Sequence, residues 1–234
     1  HDSLHELVVA KRNLLWSNLK RHEMRASKGV IFASEYTRSA FDDLQMIESK
    51  SKTKVIQPFS KYTAADYRGL EKENFYLYVG NRRGYKNFEV LVAAAKSLPR
   101  ARIVAVGGER LNASERRMEK IGIITFIPDA SDKLLLELML TCRALVSTST
   151  HEGFGMVVQE ARALGCPVVA SAIPPHLESH PDALTFNPDK PDELRDRLTR
   201  LSTAPSPKPM NTRSLISYAQ EHKSFYNDLL ESSG

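Results

Sequence analysis

The sequence predicts an α/β protein whose larger part is a doubly wound parallel sheet, preceded by a shorter α/β portion. The main observation is that apolar runs of strand length alternate with helical patterns from residue 75 to residue 202. The strands at 75–79 and 102–106 end in glycine, and Pro99 and Gly165 stop two of the helices. No internal repeat of solenoid period is visible.

The composition is that of an ordinary soluble globular protein. Of the 234 residues, 41% are hydrophobic and 26% are charged, and the formal net charge is +5. No apolar run approaches the ~18 residues of a transmembrane helix, and the polar residues 1–6 do not resemble a signal peptide. The basic charge fits a phosphorylated ligand, an anionic lipid or a solvated surface equally well. Because no Lys/Arg block with interleaved aromatics is present, no nucleic-acid partner is expected.

The two cysteines indicate the cellular compartment of the protein. Cys142 and Cys166 lie in apolar surroundings at the ends of predicted helices, so buried free thiols are expected rather than a disulfide or a metal site. Free thiols indicate a reducing compartment, and we therefore expect a cytoplasmic protein. The histidines have no metal-ligand spacing, and no metal is expected.

Residues 1–58 form the first predicted block. Residues 4–28 carry apolar side chains at helical spacing with Lys and Arg between them. Such a helix can lie on an anionic membrane, and packing on another protein element explains the same pattern. A strand at 30–33, a helix at 35–47 capped by Ser34 and a strand at 54–56 follow. The polar residues 59–73 are predicted to be a linker.

Residues 74–203 form the second block. Strands are predicted at 75–79, 102–106, 123–126, 144–147, 167–170 and 184–186. Helices are predicted at 88–98, 112–120, 132–141 with Ser131 as N-cap, 156–164 and 191–202. In residues 204–234, a proline-rich run predicts a stiff linker, and a last helix is expected at 212–230.

The first candidate site is the loop 80–87, between a strand and a helix. Two glycines free its backbone, and three cations converge on the start of the helix, which suits a diphosphate. These residues are Gly80, Gly84, Arg82, Arg83 and Lys86. A solvated turn with surface cations explains the same residues, since the loop is neither a Walker loop nor a dinucleotide fingerprint. The pair Gly107-Gly108, at the end of the next strand, fits a ligand contact or a plain turn.

The second candidate site is the stretch 149–161, where a buried strand ends and a helix begins. In an open α/β sheet ligands bind at such a place, and bare helix-start amides favour an anion. Glu152 and Glu160 flank Gly153-Phe154-Gly155, and carboxylates accept hydrogen bonds from vicinal sugar hydroxyls. An acid that complements the helix dipole plus one exposed acid is the plainer interpretation.

These segments together resemble the family 4 glycosyltransferases, which have the GT-B fold of two Rossmann-like domains. The resemblance is carried by Glu152-Gly153-Phe154-Gly155, Glu160-Ala161, Gly165-Cys166-Pro167-Val168-Val169, Tyr78-Val79-Gly80, Lys86-Asn87 and Val106-Gly107-Gly108. It implies that residues 74–203 bind a nucleotide sugar, that transfer retains the anomeric configuration, and that neither a metal nor another cofactor is required. It also implies that residues 1–58 are a remnant of the acceptor-side domain, to which the last helix crosses back.

The resemblance assigns roles by position. Lys86, with Arg82 nearby, would hold the donor diphosphate and stabilise the leaving charge, Glu160 would bind the ribose diol, and Glu152 would contact the transferred sugar. Other donor contacts are expected from Gly80, Gly107, Gly153, Phe154, Gly155, Met156 and Val157, with Ile127 and Pro128 against the base. Asn81 stands where the family often has Arg, so it stays open whether Arg82 or Arg83 reaches the phosphates.

Two functional hypotheses follow. The first is a retaining glycosyltransferase, or its donor-binding domain, that moves a hexose from a GDP- or UDP-linked sugar to a glycan or lipid-linked acceptor. The resemblance favours mannose or a deoxyhexose carried by GDP. The alternative is a non-catalytic nucleotide-sugar-binding subunit that needs a partner chain to supply the acceptor side. An epimerase acting on the nucleotide sugar itself fits less well, because such relatives lack the Glu-Gly-Phe-Gly arrangement.

Overall fold

The computed structural model describes residues 20–48, 50–201 and 207–231. The contacts within the chain divide them into two units. The smaller unit comprises the described residues up to Gln57 and those from Ile216 onward, and the larger unit runs from Pro58 to Leu215. Each unit is described by itself.

The elements are numbered in chain order. They are β1 (Gly29–Phe32), α1 (Glu35–Asp43), β2 (Lys52–Val55), β3 (Tyr76–Val79), α2 (Phe88–Lys96), β4 (Ile103–Val106), α3 (Ala113–Lys120), β5 (Ile124–Ile127), α4 (Asp132–Thr141), β6 (Ala144–Ser147), α5 (Met156–Ala163), β7 (Val168–Ser171), α6 (Pro174–Ser179), β8 (Leu184–Phe186), α7 (Pro191–Leu201) and α8 (Leu215–Glu231).

The smaller unit contains a two-stranded parallel sheet in which Gly29 of β1 pairs with Lys52 of β2. The Ser34 hydroxyl accepts a hydrogen bond from the Thr37 amide at 3.1 Å, so the predicted N-cap of α1 is confirmed. The helix ends at Asp43 rather than at 47, because the backbone turns to a φ of 50° at Gln45. Residues 20–26 are helical, and residues 4–19 of the predicted first helix lie outside the described residues.

The larger unit is built on a six-stranded sheet in the order β5-β4-β3-β6-β7-β8, with every neighbouring pair parallel. The predicted doubly wound parallel sheet is therefore confirmed. The chain starts in the middle at β3, moves outward to β5, and then returns to β6 on the other side of β3. The strand order thus reverses between β3 and β6, whose loops leave the sheet side by side at its carboxyl edge.

Alternate strand residues pack on the two faces of this sheet. Leu77, Val104 and Leu145 contribute to one core cluster, together with Leu140 of α4 and Val158 of α5. The intervening strand residues Tyr76, Ile103 and Ala144 contribute to the other cluster, with Leu91 of α2 and Leu194 of α7. The strands are apolar on both faces because helices cover both.

The two cysteines are free thiols inside this unit, as expected. Cys142 and Cys166 are buried, and their sulfur atoms lie 3.3 Å apart. Burial raises the pKa of the Cys142 thiol, so this sulfur is held in its neutral form.

Within the described ranges, none of the helices combines the length and the apolar character that crossing a membrane requires.

The turn after α5 yields a test of packing. Gly165 has a φ of +66°, and a Cβ placed there would lie 2.8 Å from the Pro207 carbonyl oxygen and 3.0 Å from the Pro209 nitrogen. We expect Gly165→Ala to lower the free energy of unfolding by roughly 2 kcal/mol or more, because a left-handed backbone and a backbone clash combine. Chemical denaturation measures the change.

Gly122→Ala is the matched control. Gly122 has a φ of +77° with no heavy atom within 4 Å of the added Cβ. The free energy of unfolding of this variant should fall by only about 1 kcal/mol, which is the cost of a left-handed backbone at a residue other than glycine. Equal losses at the two positions would contradict the packing at Gly165.

Candidate functional site

Two loops meet at the carboxyl edge of the sheet. The β3 loop (residues 80–87) and the β6 loop (residues 148–155) follow hydrogen-bonded neighbouring strands at the point where the strand order reverses. Ligands of open α/β sheets bind in the crevice that forms at such a point. The structure therefore brings together the two stretches that the sequence singles out as candidate sites.

Hydrogen bonds join the two loops. The Thr150 amide donates to the Tyr85 carbonyl oxygen at 2.7 Å, and the Thr148 hydroxyl donates to the Lys86 carbonyl oxygen at 2.7 Å. Because these bonds involve backbone groups, they fix the path of one loop against the other. The position of the Lys86 side chain thus depends on the β6 loop.

An ion pair completes the junction. Lys86 Nζ lies 2.5 Å from Glu152 Oε1, and the two side chains are 21% and 16% exposed. The Ser149 hydroxyl donates to the same carboxylate oxygen at 2.7 Å. The arrangement offers one cation and one carboxylate to a ligand in the crevice. A phosphate can take the first, and a sugar hydroxyl can donate to the second.

Arg82, the other predicted diphosphate ligand, is buried and turned into the protein. Its guanidinium donates to the carbonyl oxygens of Gly107 and Glu109, and it lies 4.3 Å from the centroid of the Phe126 ring. Its side chain is 1% exposed. In this geometry Arg82 ties the β3 loop to the loop that follows β4, and does not project into the crevice with Lys86.

Arg83, the second candidate arginine, is paired with an acid on α3. Its guanidinium donates to Glu115 at 2.6 Å and 3.2 Å. Burial works to raise the pKa of Glu115, but the hydrogen bonds from Arg83 and the Asn112 backbone hold this pKa below its usual value. Of the three cations in the β3 loop, Lys86 is therefore the one that pairs with the β6 loop.

Other predicted donor contacts line the same edge of the sheet. The Gly80 amide donates to the Val106 carbonyl oxygen, and the Gly107 amide donates to that of Ile127, so these residues continue the strand pairing to its end. Gly108 has a φ of +82°, and a Cβ there would lie 3.1 Å from the Gly80 carbonyl oxygen. Only glycine fits this approach. Ile127 is half-buried, and Pro128 is exposed just beyond it.

The start of α5 has the features of an anion site. Gly155 is its N-cap with a φ of 95°, and no side chain caps the helix. Gly153 and Met156 are exposed, Val157 is half-buried, and Phe154 is buried. The amides of the first helical turn are thus left to backbone or ligand partners.

Glu160 has a different environment from Glu152. Glu160 is half-buried on α5, one turn after Met156. It lies near Lys61 and Asp132, whose side chains pair at 2.6 Å. Burial raises the pKa of Glu160, Lys61 opposes this effect, and Asp132 adds to it. The neighbouring Gln159 side chain donates to the Pro58 carbonyl oxygen at 2.9 Å. The segment after Pro58 therefore borders the Glu160 end of the site.

Two buried histidines lie beneath the β6 loop. His176 and His180 are 0% and 1% exposed, and their rings approach Gly155. The sequence gives no signal for this role, because α6, which carries His176, is short and begins with two prolines, and no helix was predicted there. The spacing of the histidines indicates no metal site, and among the residues that the structure describes no group of three metal-ligating side chains occurs.

Comparison with curated proteins gives glycosyltransferases as relatives. The chain is 28% identical over 182 residues to the D-inositol 3-phosphate glycosyltransferase of Mycobacterium leprae, which covers 71% of this chain and 42% of the relative. The enzyme of the same name from Mycolicibacterium smegmatis is 30% identical over 129 residues, or 51% of this chain and 30% of the relative. The chain thus spans less than half the length of these relatives.

Solved structures share the fold. A sucrose-phosphate synthase from Thermosynechococcus elongatus superimposes with a TM-score of 0.73 and 21% identity, covering 91% of this chain and 61% of that one. Anabaena HepE in complex with UDP and glucose gives a TM-score of 0.70 and 18% identity, covering 87% and 64%. At these identities the likeness concerns the fold alone, which is Rossmann-like and of the GT-B type.

The sequence also matches the family described as "Glycosyl transferases group 1" over residues 64–222. This match includes the β3 loop, the β6 loop, Glu160 and both buried histidines, and it covers more than half of the chain. The protein belongs to the group 1 glycosyltransferases, as its resemblance to family 4 predicts.

Proposed function

We propose that residues 74–203 bind the nucleotide-sugar donor of a retaining glycosyltransferase, which moves a hexose from a UDP- or GDP-linked sugar to a glycan or lipid-linked acceptor. Membership of the family supports a transferase. The names of the relatives and the UDP and glucose bound to HepE support a nucleotide-sugar donor. The single observation that carries the proposal is the Lys86–Glu152 ion pair at the point where the strand order reverses.

Donor binding would exchange this ion pair for two ligand contacts. A diphosphate oxygen would replace Glu152 as the partner of Lys86, and a sugar hydroxyl would donate to Glu152. The amides at the start of α5 would add hydrogen bonds to the distal phosphate or the sugar. Each protein charge would then remain paired, so the ion pair and the donor compete for the same two groups.

Transfer would break the bond between the anomeric carbon and the phosphate oxygen. The new bond forms between that carbon and the acceptor oxygen on the same face, and the acceptor proton passes to the departing phosphate oxygen. Lys86 would stabilise the negative charge that grows on the diphosphate as the bond breaks. The contribution of the protein is to position the two substrates and to stabilise this charge.

Glu160 would accept hydrogen bonds from the ribose diol at the other end of the donor. Arg82 would act indirectly, without contacting the donor. Its hydrogen bonds to the Gly107 and Glu109 carbonyl oxygens fix the loop that carries Lys86. Ile127 and Pro128 would lie against the base. Residues 1–58 and the last helix would belong to the acceptor side.

Calorimetry with a panel of UDP- and GDP-sugars tests donor binding, and a transfer and hydrolysis assay tests catalysis. Binding with turnover supports the glycosyltransferase. Binding without turnover, with or without added acceptor, is the result expected of a non-catalytic nucleotide-sugar-binding subunit. Absence of binding by every member of the panel would overturn both.

The first prediction concerns Lys86. We expect Lys86→Ala to weaken the binding of UDP or GDP about 10- to 100-fold, because a charge-assisted hydrogen bond to the diphosphate is lost. Lys96→Ala, which removes an exposed lysine from the last turn of α2, is the matched control and should bind like the wild type. Unchanged affinity in Lys86→Ala would reject its assignment.

The second prediction tests whether Glu152 contacts the sugar of the donor and not its diphosphate. Glu152→Gln removes the carboxylate that competes for Lys86, so the affinity for UDP or GDP alone should stay the same or rise. The affinity for the complete nucleotide sugar should fall about tenfold, because an amide oxygen is a weaker acceptor of the sugar hydroxyl. An equal loss for nucleotide and nucleotide sugar would contradict this division.

The third prediction concerns Glu160. Glu160→Ala should weaken the binding of UDP about tenfold but leave the binding of a nucleotide with a 2′,3′-dideoxyribose unchanged, because that analogue lacks the two hydroxyls. Glu137→Ala, at an exposed position of α4, is the control. Equal weakening with both nucleotides would show that Glu160 acts without contacting the ribose.

A further inference from the structure

His176 and His180 form a buried floor under the β6 loop. A Cβ built on Gly155 would lie 2.9 Å from His176 Cδ2, 3.0 Å from His176 Nε2 and 3.4 Å from His180 Nε2. The Phe154 ring packs edge-on against the His180 ring, with centroids 5.4 Å apart. Both imidazoles therefore lie against Gly155, and the His180 ring also contacts Phe154.

The hydrogen bonds at Nδ1 define the proton positions on both rings. His176 Nδ1 lies 3.0 Å from the Ser171 carbonyl oxygen, which can only accept, so this nitrogen carries the proton. His180 Nδ1 lies 3.3 Å from Arg162 Nη1, which can only donate, so the neutral ring has its proton on Nε2. The two rings thus present different groups to the loop, an acceptor at His176 Nε2 and a donor at His180 Nε2.

These two Nε2 atoms are buried and have no hydrogen-bond partner within the described part of the chain. A buried polar atom without a partner is costly, and it is rare unless a ligand, a water molecule or another conformation satisfies it. The backbone groups of Phe154 and Gly155 lie close enough to the His180 ring to raise its pKa, against the larger effect of burial. A small movement of the loop would bring its carbonyl and amide groups onto these atoms.

We propose that His176 and His180 are positioning residues, which through Nε2 hold the backbone of Phe154 and Gly155 in a loop conformation that forms without the donor and that the donor then binds. This inference rests on the proposed function, since it concerns the loop that would meet the sugar and the distal phosphate. His180 Nε2 donates to a loop carbonyl oxygen, and His176 Nε2 accepts from a loop amide. The loop is then fixed from below while the donor contacts it from above.

The proposal has a pH dependence with a definite sign. Burial, Arg162 and His176 lower the pKa of His180 to about 4, and burial lowers the pKa of His176. Glu152 favours the charged form of His176, Lys86 opposes it, and Asp182 pairs with Arg162 at 2.8 Å. In the folded protein the His180 ring therefore stays neutral until the pH falls to about 4, and its contribution to the loop is lost as the pH falls through that value.

Substitutions by asparagine and by glutamine test the Nδ1 and Nε2 contacts of each ring separately. In His180→Asn the amide oxygen replaces Nδ1, so the Arg162 contact is kept but the donor toward the loop is lost. In His180→Gln the amide reaches the Nε2 position and restores that donor. If His180 served only to contact Arg162, His180→Gln should weaken donor binding more than His180→Asn. The same pair at His176 separates the Ser171 contact from the acceptor toward the loop. His222→Asn, on α8, is the control.

The experiment uses the full chain and two readouts. Calorimetry with UDP- and GDP-sugars should show about tenfold weaker binding in His180→Asn and His176→Asn, with recovery to within about threefold in the glutamine variants. As the pH falls through about 4, wild-type affinity should fall, and this step should be absent in His180→Gln. Amide hydrogen exchange at residues 153–156 without ligand should be about tenfold faster in the asparagine variants.

The outcomes distinguish the two proposals. If the wild type binds nucleotide sugars and the asparagine variants match it in affinity and exchange, the positioning role is wrong and the proposed function stands. If the wild type binds no member of the panel, the proposed function fails, and the exchange rates alone decide whether the histidines hold the loop. Greater damage in the glutamine variants than in the asparagine variants would also overturn the positioning role.

Discussion

The ion pair between Lys86 and Glu152 joins two loops that only the sheet brings together. Sixty-five residues lie between Lys86 and Glu152 in the chain, and the two side chains meet because β3 and β6 are hydrogen-bonded neighbours. A partly buried ion pair of this kind contributes little net stability, because the loss of hydration offsets most of the attraction. Its main effect is on the site: it holds a cation and a carboxylate in the crevice, each available to a ligand that offers the opposite partner.

The position of Lys86 in turn depends on Arg82. The buried guanidinium binds two carbonyl oxygens of the loop after β4, so the β3 loop is anchored on one side by Arg82 and on the other by Thr148 and Thr150. In the sequence Arg82, Arg83 and Lys86 are equivalent cations in one loop. Their different roles are set by distant residues, namely the Phe126 ring and the Glu115 carboxylate. A local pattern cannot reveal such partners, and this is why the sequence predicts a cationic loop but not which cation pairs with the β6 loop.

The sequence predicts most of the fold for a physical reason. Strands buried on both faces are continuous apolar runs, and glycine, proline or a capping serine interrupts them, so β6 is predicted to the residue and the N-caps of α1 and α4 are correct. Helix ends are less well predicted, because a single turn such as that at Gln45 ends α1 early. The short α6 was not predicted, since two prolines at its start hide a helical pattern that spans only six residues. The sequence pattern therefore gives no reason to place His176 and His180 beside the β6 loop.

The presence of α6 changes the structural role of Gly155 in the β6 loop. A glycine at the start of such a helix lets a ligand approach the backbone closely. In the structure the space that a side chain would need at Gly155 is taken by His176 and His180 from the protein side. The loop is thus paired with Lys86 at Glu152 and packed against two imidazoles at Gly155, where only glycine fits without strain. A loop held at both points has few alternative conformations, so a ligand that binds it loses little entropy in ordering it. The proposed role of the histidines follows from this packing, because their Nε2 atoms lie 3.0 Å and 3.4 Å from the position that a Cβ at Gly155 would take.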